Sequence, residues 1–306
     1  PLVIGSRGSK LALWQAEQAK ARLLAFSPEI EVRIEIIKTT GDVKHDPLSV
    51  IAGKGVFTKE VEDALLDGRV DLAVHSLKDL PTVLPEGLTI SAICVRDDPR
   101  DALVVRDDLK SRSGSILNLP ENVVVGTSSQ RRVAQLKSLR GDVVVKDIRG
   151  NVDTRLRKLD AGEYDALILA SAGLRRLELE DRIDVVISPE EMVPAVGQGA
   201  IAIETRSDDE FTIKTTGALD HHETRLCCLA ERAFLRSLGG GCQFPIAGHA
   251  TIDNEQLRLD ELVATPEGAK ILRDQESGSP DEAEAIGSSL ATKLIELGAN
   301  SLLNSR

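Results

Sequence analysis

Leu66-Asp67-Gly68-Arg69-Val70-Asp71 ends a helix and opens a strand, and Ala161-Gly162-Glu163-Tyr164-Asp165 does the same, its Gly and Asp displaced by 94 residues. A glycine just past a helix supplies the left-handed turn that stops it. Outward from these corners, β-branched runs at 2–4, 32–37, 71–74, 103–105, 123–125, 143–148 and 166–169 alternate with helical patterns at 10–26, 59–66, 130–139 and 152–159. The alternation predicts α/β layers with buried, largely parallel strands. Two similar α/β halves would account for the echo, and so would the general likeness of αβ loops.

Beyond residue 215 the pattern changes. A long helix is expected at 221–238, then a glycine-rich loop, alternating segments near 246–252, 257–264 and 269–275, and an amphipathic helix at 280–297. That is a small α+β unit, read as antiparallel and as a third domain. Pro99, Pro120, Pro189 and Pro194 mark candidate crossovers.

The 306 residues are 42% hydrophobic, ample for several cores. A net charge of -11 argues against general binding to nucleic acid or anionic membranes, and 2% aromatic content argues against stacking platforms for single strands. Any bound anion must be captured by local basic clusters. No run of apolar residues is long enough to span a bilayer, and no secretory signal pattern is seen. Cys94, Cys227, Cys228 and Cys242 form no Cys-x-x-Cys pair and have no histidine at zinc-like spacing, so neither a disulfide framework nor a metal site is expected. A reducing cytoplasm or organelle stroma is the expected compartment.

The chemistry-bearing segments sit just after strands. Gly126-Thr127-Ser128-Ser129-Gln130-Arg131-Arg132 places hydroxyls and N–H groups at a helix start, with two arginines following. The spacing is not that of a P-loop, and the alternative to an anion site is a capped helix with a solvated Arg pair. Arg149-Gly150-Asn151-Val152-Asp153-Thr154-Arg155 is a second such turn, Gly5-Ser6-Arg7-Gly8-Ser9 a third, and Arg175-Arg176 follow the run at 166–169. Each arginine alone reads as a surface charge. Several at strand ends, where open α/β sheets bind ligands, point to a ligand with many carboxylates.

In Val74-His75-Ser76-Leu77-Lys78-Asp79-Leu80-Pro81, Lys78 suits an anion and Asp79 suits a developing cation or ligand N–H groups, although Asp before Leu-Pro also reads as a turn former. The stretch from Thr40-Gly41-Asp42 to Gly53-Lys54-Gly55-Val56-Phe57-Thr58-Lys59 reads either as a lid or as a long connection. In Gly239-Gly240-Gly241-Cys242 the glycines leave the thiol little shielded, but no thiolate-lowering base lies beside it. By spacing, a chance buried cysteine and a working one are equally good readings.

Taken in order, these segments, with Ala195-Val196-Gly197-Gln198-Gly199-Ala200 and Ala230-Glu231-Arg232-Ala233-Phe234-Leu235, closely resemble the porphobilinogen deaminase (hydroxymethylbilane synthase) family across essentially the whole chain. The resemblance implies two type II periplasmic-binding-protein-like α/β domains flanking a cleft, plus a smaller α+β C-terminal domain. The domains would be 1–94 with 194–214, then 95–193, then 215–306.

The resemblance also implies a transferase of tetrapyrrole and haem biosynthesis. It would carry a dipyrromethane cofactor attached through Cys242 by a thioether, and extend it by four porphobilinogen units. Loss of ammonia leaves a cationic azafulvene, which the terminal pyrrole attacks, and hydrolysis frees hydroxymethylbilane. By the same resemblance Asp79 is the catalytic carboxylate. Cys242, Lys78, Thr127, Ser128, Ser129, Arg131, Arg132, Arg149, Gly173 and Gln198 contact the cofactor. Arg7, Ser9, Gln15, Arg149, Arg155, Arg176 and Phe57 contact the substrate. A cytoplasmic monomer without nucleic-acid or membrane partners is expected.

The chain departs from the family pattern in places. The stretch 42–55 is one residue shorter, with Lys44, His45 and Ala52 at unusual positions, Gln130 replaces a usual Leu, and Cys227-Cys228 is unusual. Against this reading stands a periplasmic-type solute-binding protein, which would need neither Asp79 nor a thiol. Nucleic-acid binding through the arginines is opposed by the acidic balance.

Overall fold

The computed structural model describes residues 1–39, 58–112, 114–241 and 244–303. The expected lid at 42–57, with Phe57, and the expected attachment residue Cys242 lie outside the described residues. The chain divides into two compact units, one of residues 1–97 and 200–226, the other of 98–199 and 227–306.

In the first unit, β1 (Leu2–Ser6), β2 (Val32–Ile36), β3 (Leu72–Ser76), β4 (Leu88–Ile93) and β10 (Ile201–Arg206) form one sheet in the order β2-β1-β3-β10-β4. The helices α1 (Lys10–Phe26) and α2 (Lys59–Leu66) cover its two faces. Side-chain alternation explains how. Leu2, Ile4, Leu72, Val74, Ile201 and Ile203 pack on Ala16, Ala19 and Leu23 of α1. Val3 and Ala73 point the other way, onto Val61, Ala64 and Leu65 of α2.

The second unit repeats the plan. Its strands β5 (Asp101–Val105), β6 (Val124–Gly126), β7 (Val144–Lys146), β8 (Ala166–Ala170) and β9 (Val185–Val186) run in the order β7-β6-β8-β5-β9. Helices α3 (Gln130–Leu139) and α4 (Val152–Asp160) take the places of α1 and α2, with Leu136 in the core on one face and Leu156 and Leu159 on the other.

The echo between the corners is therefore structural. Gly68 and Gly162 both adopt left-handed backbone, with φ of 68° and 79°. Asp71 accepts from Val3 N–H at 2.8 Å and returns its own N–H to Val3 O, and Asp165 does the same with Val124. Each aspartate thus stitches two neighbouring parallel strands where the second begins.

As expected, the strands are largely parallel: four of the five in each sheet share one direction, and only β10 and β5 run against them. In each sheet two pairings are parallel and two antiparallel: β10 with β3 and β4, and β5 with β8 and β9. The cause is connectivity. Each antiparallel strand is the first one laid down after the chain passes between the two α/β halves, after β4 into β5 and after β9 into β10. It arrives from the far end of the sheet rather than through a helical crossover.

The rest of the second unit is α+β, as expected. It holds most of α7 (His222–Ser237), the antiparallel meander β11 (Ile246–Asp253), β12 (Gln256–Ala264) and β13 (Ile271–Gly278), and α8 (Ala283–Glu296) with the short α9 (Ala299–Leu303). The helices α5 (Ser171–Arg176) and α6 (Glu210–Thr216) complete the two α/β halves. Glu231 of α7, fully buried, accepts from Gly197 N–H at 2.6 Å and Ala250 N–H at 2.8 Å, fastening the meander to the segment before β10. Cys94, Cys227 and Cys228 are buried. Among the described residues no helix is long and apolar enough to cross a membrane.

Candidate functional site

In the first unit two strand ends build the site. After β1 the chain turns through Arg7 to Ser9, whose hydroxyl caps α1 by accepting from Ala12 N–H at 3.3 Å. After β3 it enters a single 3-10 turn, Leu77–Asp79, closed by Leu80 N–H to Leu77 O and tied to β10 by Leu77 N–H to Ala200 O. Gln15, buried one turn into α1, donates from its amide to Ser76 Oγ at 2.9 Å and so joins the two ends. Arg7, Ser9, Gln15, Thr58, His75, Ser76 and Asp79 line one cavity of about 70 Å³. Four expected site residues, Arg7, Ser9, Gln15 and Asp79, meet there, and Lys78 sits beside Asp79 on the same turn.

From the cavity-lining His75 extends a polar group that the sequence did not assign. His75 Nε2 and Glu204 Oε2 are 3.0 Å apart, at ion-pair distance but without hydrogen-bond alignment. Burial, with the Glu204 charge adding to it, pushes the nearby Glu62 carboxyl above its ordinary range.

In the second unit the turn Thr127-Ser128-Ser129 joins β6 to α3. The Ser128 hydroxyl donates to Ile148 O at 2.5 Å and accepts from Ile148 N–H at 3.1 Å, locking this turn to the one after β7. Buried Thr127 accepts from Ser129 N–H through Oγ1. Along the second turn Arg149 Nε lies 3.3 Å from Asp147, and Arg155 Nε donates to Gly150 O at 2.8 Å. Gly173 and Arg176 are buried in α5, and Arg176 donates to Gly199 O at 2.5 Å.

Arg131 and Arg132 are not a solvated pair. They are 4% and 6% exposed, and both grip the fully buried Asp101 of β5, at 2.6 Å and 2.7 Å. Gln198 donates to the same carboxylate at 2.9 Å and to Pro99 O at 2.7 Å. Burial alone would raise the Asp101 carboxyl, but the two guanidiniums outweigh it and hold it well below the usual carboxylate range. Asp101 was missed in the sequence. The available signal was an acidic residue opening the otherwise apolar run Asp101-Ala102-Leu103-Val104-Val105, a poor strand residue unless something pairs with it. Gln130 is exposed at the start of α3, which explains why a polar residue is tolerated there.

The first unit thus offers a cavity lined by the Asp79 carboxylate and the Arg7 guanidinium, and the second a buried arginine pair with one charge more than Asp101 neutralises. Both arrangements suit an anionic ligand.

Residues 2–214 match the family model for the porphobilinogen deaminase, dipyrromethane cofactor binding domain, and residues 225–296 match that for the porphobilinogen deaminase C-terminal domain. A porphobilinogen deaminase of Chlorobium phaeovibrioides is 49% identical over 308 residues, covering 99% of this chain and 97% of that one. One of Chromobacterium violaceum is 49% identical over 303 residues, covering 99% and 96%. The chain belongs to the porphobilinogen deaminase family, and its cofactor is dipyrromethane. Among solved structures, a periplasmic binding protein of Salmonella typhimurium with high arginine specificity is similar at a TM-score of 0.42 and 9% identity, covering 71% of this chain and 90% of that one. That likeness is too distant to say anything of ligand.

The second unit fits such a cofactor on its own terms. A surplus positive charge is buried at the start of α3, and Arg131 Nε is buried with no acceptor among the described residues. A ligand carrying several carboxylates is the natural complement.

Proposed function

We propose that this chain is a transferase that condenses four porphobilinogen molecules head to tail onto a dipyrromethane held by a thioether to Cys242. Hydrolysis then releases the linear tetrapyrrole hydroxymethylbilane. In each condensation a carbon–carbon bond forms between the substrate's aminomethyl carbon and a free pyrrole α-carbon. The carbon–nitrogen bond breaks, and the α-proton and ammonia leave together as ammonium. When bound, the cofactor supplies that nucleophilic α-carbon.

The chain's own residues bind, orient and stabilise. Asp79 accepts pyrrole N–H bonds and faces the cation that develops as the amine departs. Arg7 and Ser9, with Gln15 bracing the turn, receive substrate carboxylates, and Lys78, Arg149, Arg155 and Arg176 add cations for the lengthening polyanion. Thr127, Ser128, Ser129, Arg131, Arg132, Arg149, Gly173 and Gln198 serve the cofactor. Phe57 is assigned to the substrate and the stretch 42–57 to a lid. In this reading 1–94 with 194–214, 95–193 and 215–306 act as three domains, and the protein works in the cytoplasm, or an organelle stroma, as a monomer.

The observation that carries the reading is the grouping of Asp79 with Arg7, Ser9 and Gln15 around one cavity in a chain of this family. Intact-protein mass tests it. Chain purified from a host that makes porphobilinogen should exceed its sequence mass by one dipyrromethane, and Cys242→Ser should abolish the excess.

A further inference from the structure

Asp101 accepts five side-chain hydrogen bonds. Its Oδ2 accepts from Arg131 Nη1 at 2.6 Å. Its Oδ1 accepts from Arg131 Nη2 at 3.2 Å, Arg132 Nε at 3.1 Å, Arg132 Nη2 at 2.7 Å and Gln198 Nε2 at 2.9 Å. Val193 O and Ile168 O hold the outer nitrogens, at 2.8 Å each. The group spans three elements: the start of β5, the first turn of α3 and the segment before β10.

Two features say that this is more than a structural ion pair. The first is charge. One carboxylate faces two guanidiniums, and a surplus charge at full burial is costly unless an anion completes the set. The second is the donor inventory. Two arginines carry ten N–H donors, and among the described residues they make six hydrogen bonds, which leaves four for a ligand. Both amide protons of Gln198 are already spent, on Pro99 O and Asp101.

We propose that Asp101 is the positioning residue of the cofactor site. It locks Arg131 and Arg132 into one plate, braced by Gln198, so that their unspent donors meet the carboxylates of the dipyrromethane. This rests on the family reading of the site. Gln198 acts through Asp101 rather than by donating to the cofactor.

The test separates aiming from charge. Asp101→Asn raises the net positive charge of the cluster, so if charge alone mattered an anionic cofactor would be held as well or better. If Asp101 aims the arginines, loading falls. The fraction of chains carrying the cofactor mass is read by intact-protein mass spectrometry, with folding followed by circular dichroism. Folded Asp101→Asn should be loaded at least about tenfold less than the parent, because a buried charge pair has lost one partner. Loading equal to the parent in a folded variant overturns the proposal. Gln198→Leu leaves every charge in place and decides the matter where Asp101→Asn does not fold. Its loaded fraction should drop about threefold or more by loosening the plate, and parental loading overturns the proposal. A parent chain without cofactor would instead sink the reading of the site itself.

Discussion

Asp79→Asn removes one charge and almost no volume, so it separates catalysis from folding. The side chain is exposed, and the turn that carries it is closed by backbone bonds from Leu80 to Leu77 and from Leu77 to Ala200. A surface change of this kind shifts stability by no more than about 0.5 kcal/mol. The melting temperature should therefore move by less than about 2 °C. The rate behaves differently. A carboxylate about 4 Å from a developing cation is worth roughly 4 kcal/mol at an effective dielectric of 20. Solvent reaching an exposed group reduces this, so about 3 kcal/mol, or a rate loss of roughly a hundredfold, is expected. The assay is the initial rate of ammonia release from cofactor-loaded chain at saturating porphobilinogen, for the parent, Asp79→Asn and Asp79→Glu. The asparagine variant should be folded and slow, the glutamate variant intermediate. A folded Asp79→Asn chain within about threefold of the parent would remove Asp79 from the chemistry.

Two further predictions concern stability. Burial raises the Glu62 carboxyl, so folding favours its protonated form. Its contribution is then present below the ordinary glutamate range and lost as pH rises through the raised value. Glu62→Gln should gain melting temperature over the parent between about pH 5 and about pH 8, and an unchanged or shrinking margin contradicts this. Asp71→Ala and Asp165→Ala each leave a strand N–H, that of Val3 or Val124, without its acceptor. Each should cost about 1–3 kcal/mol by denaturant unfolding, and a loss confined to one of the two would contradict the equivalence of the corners.

Much of the fold was legible because local signals agreed with the tertiary outcome. The helices at Lys10–Phe26, Lys59–Leu66 and Gln130–Leu139 run where the periodicity placed them. The two corners identified by Gly68 with Asp71 and Gly162 with Asp165 proved equivalent down to their hydrogen bonds. What the sequence hid was long-range. Nothing local says that Ile201–Arg206 pairs antiparallel with Leu72–Ser76, more than a hundred residues earlier. In the same way, nothing near Arg131-Arg132 tells that Asp101, thirty residues upstream, grips both of them inside the same core. The buried His75–Glu204 contact belongs to the same class, since Glu204 reads as the first of the polar residues that follow Ile201-Ala202-Ile203.

The central claim is that Cys242 carries a dipyrromethane. Intact mass of chain purified from a host that makes porphobilinogen tests it most directly. The account predicts an excess over the sequence mass of two porphobilinogen units less two ammonias, lost in Cys242→Ser. An unmodified parent chain, or an excess that survives Cys242→Ser, would contradict it.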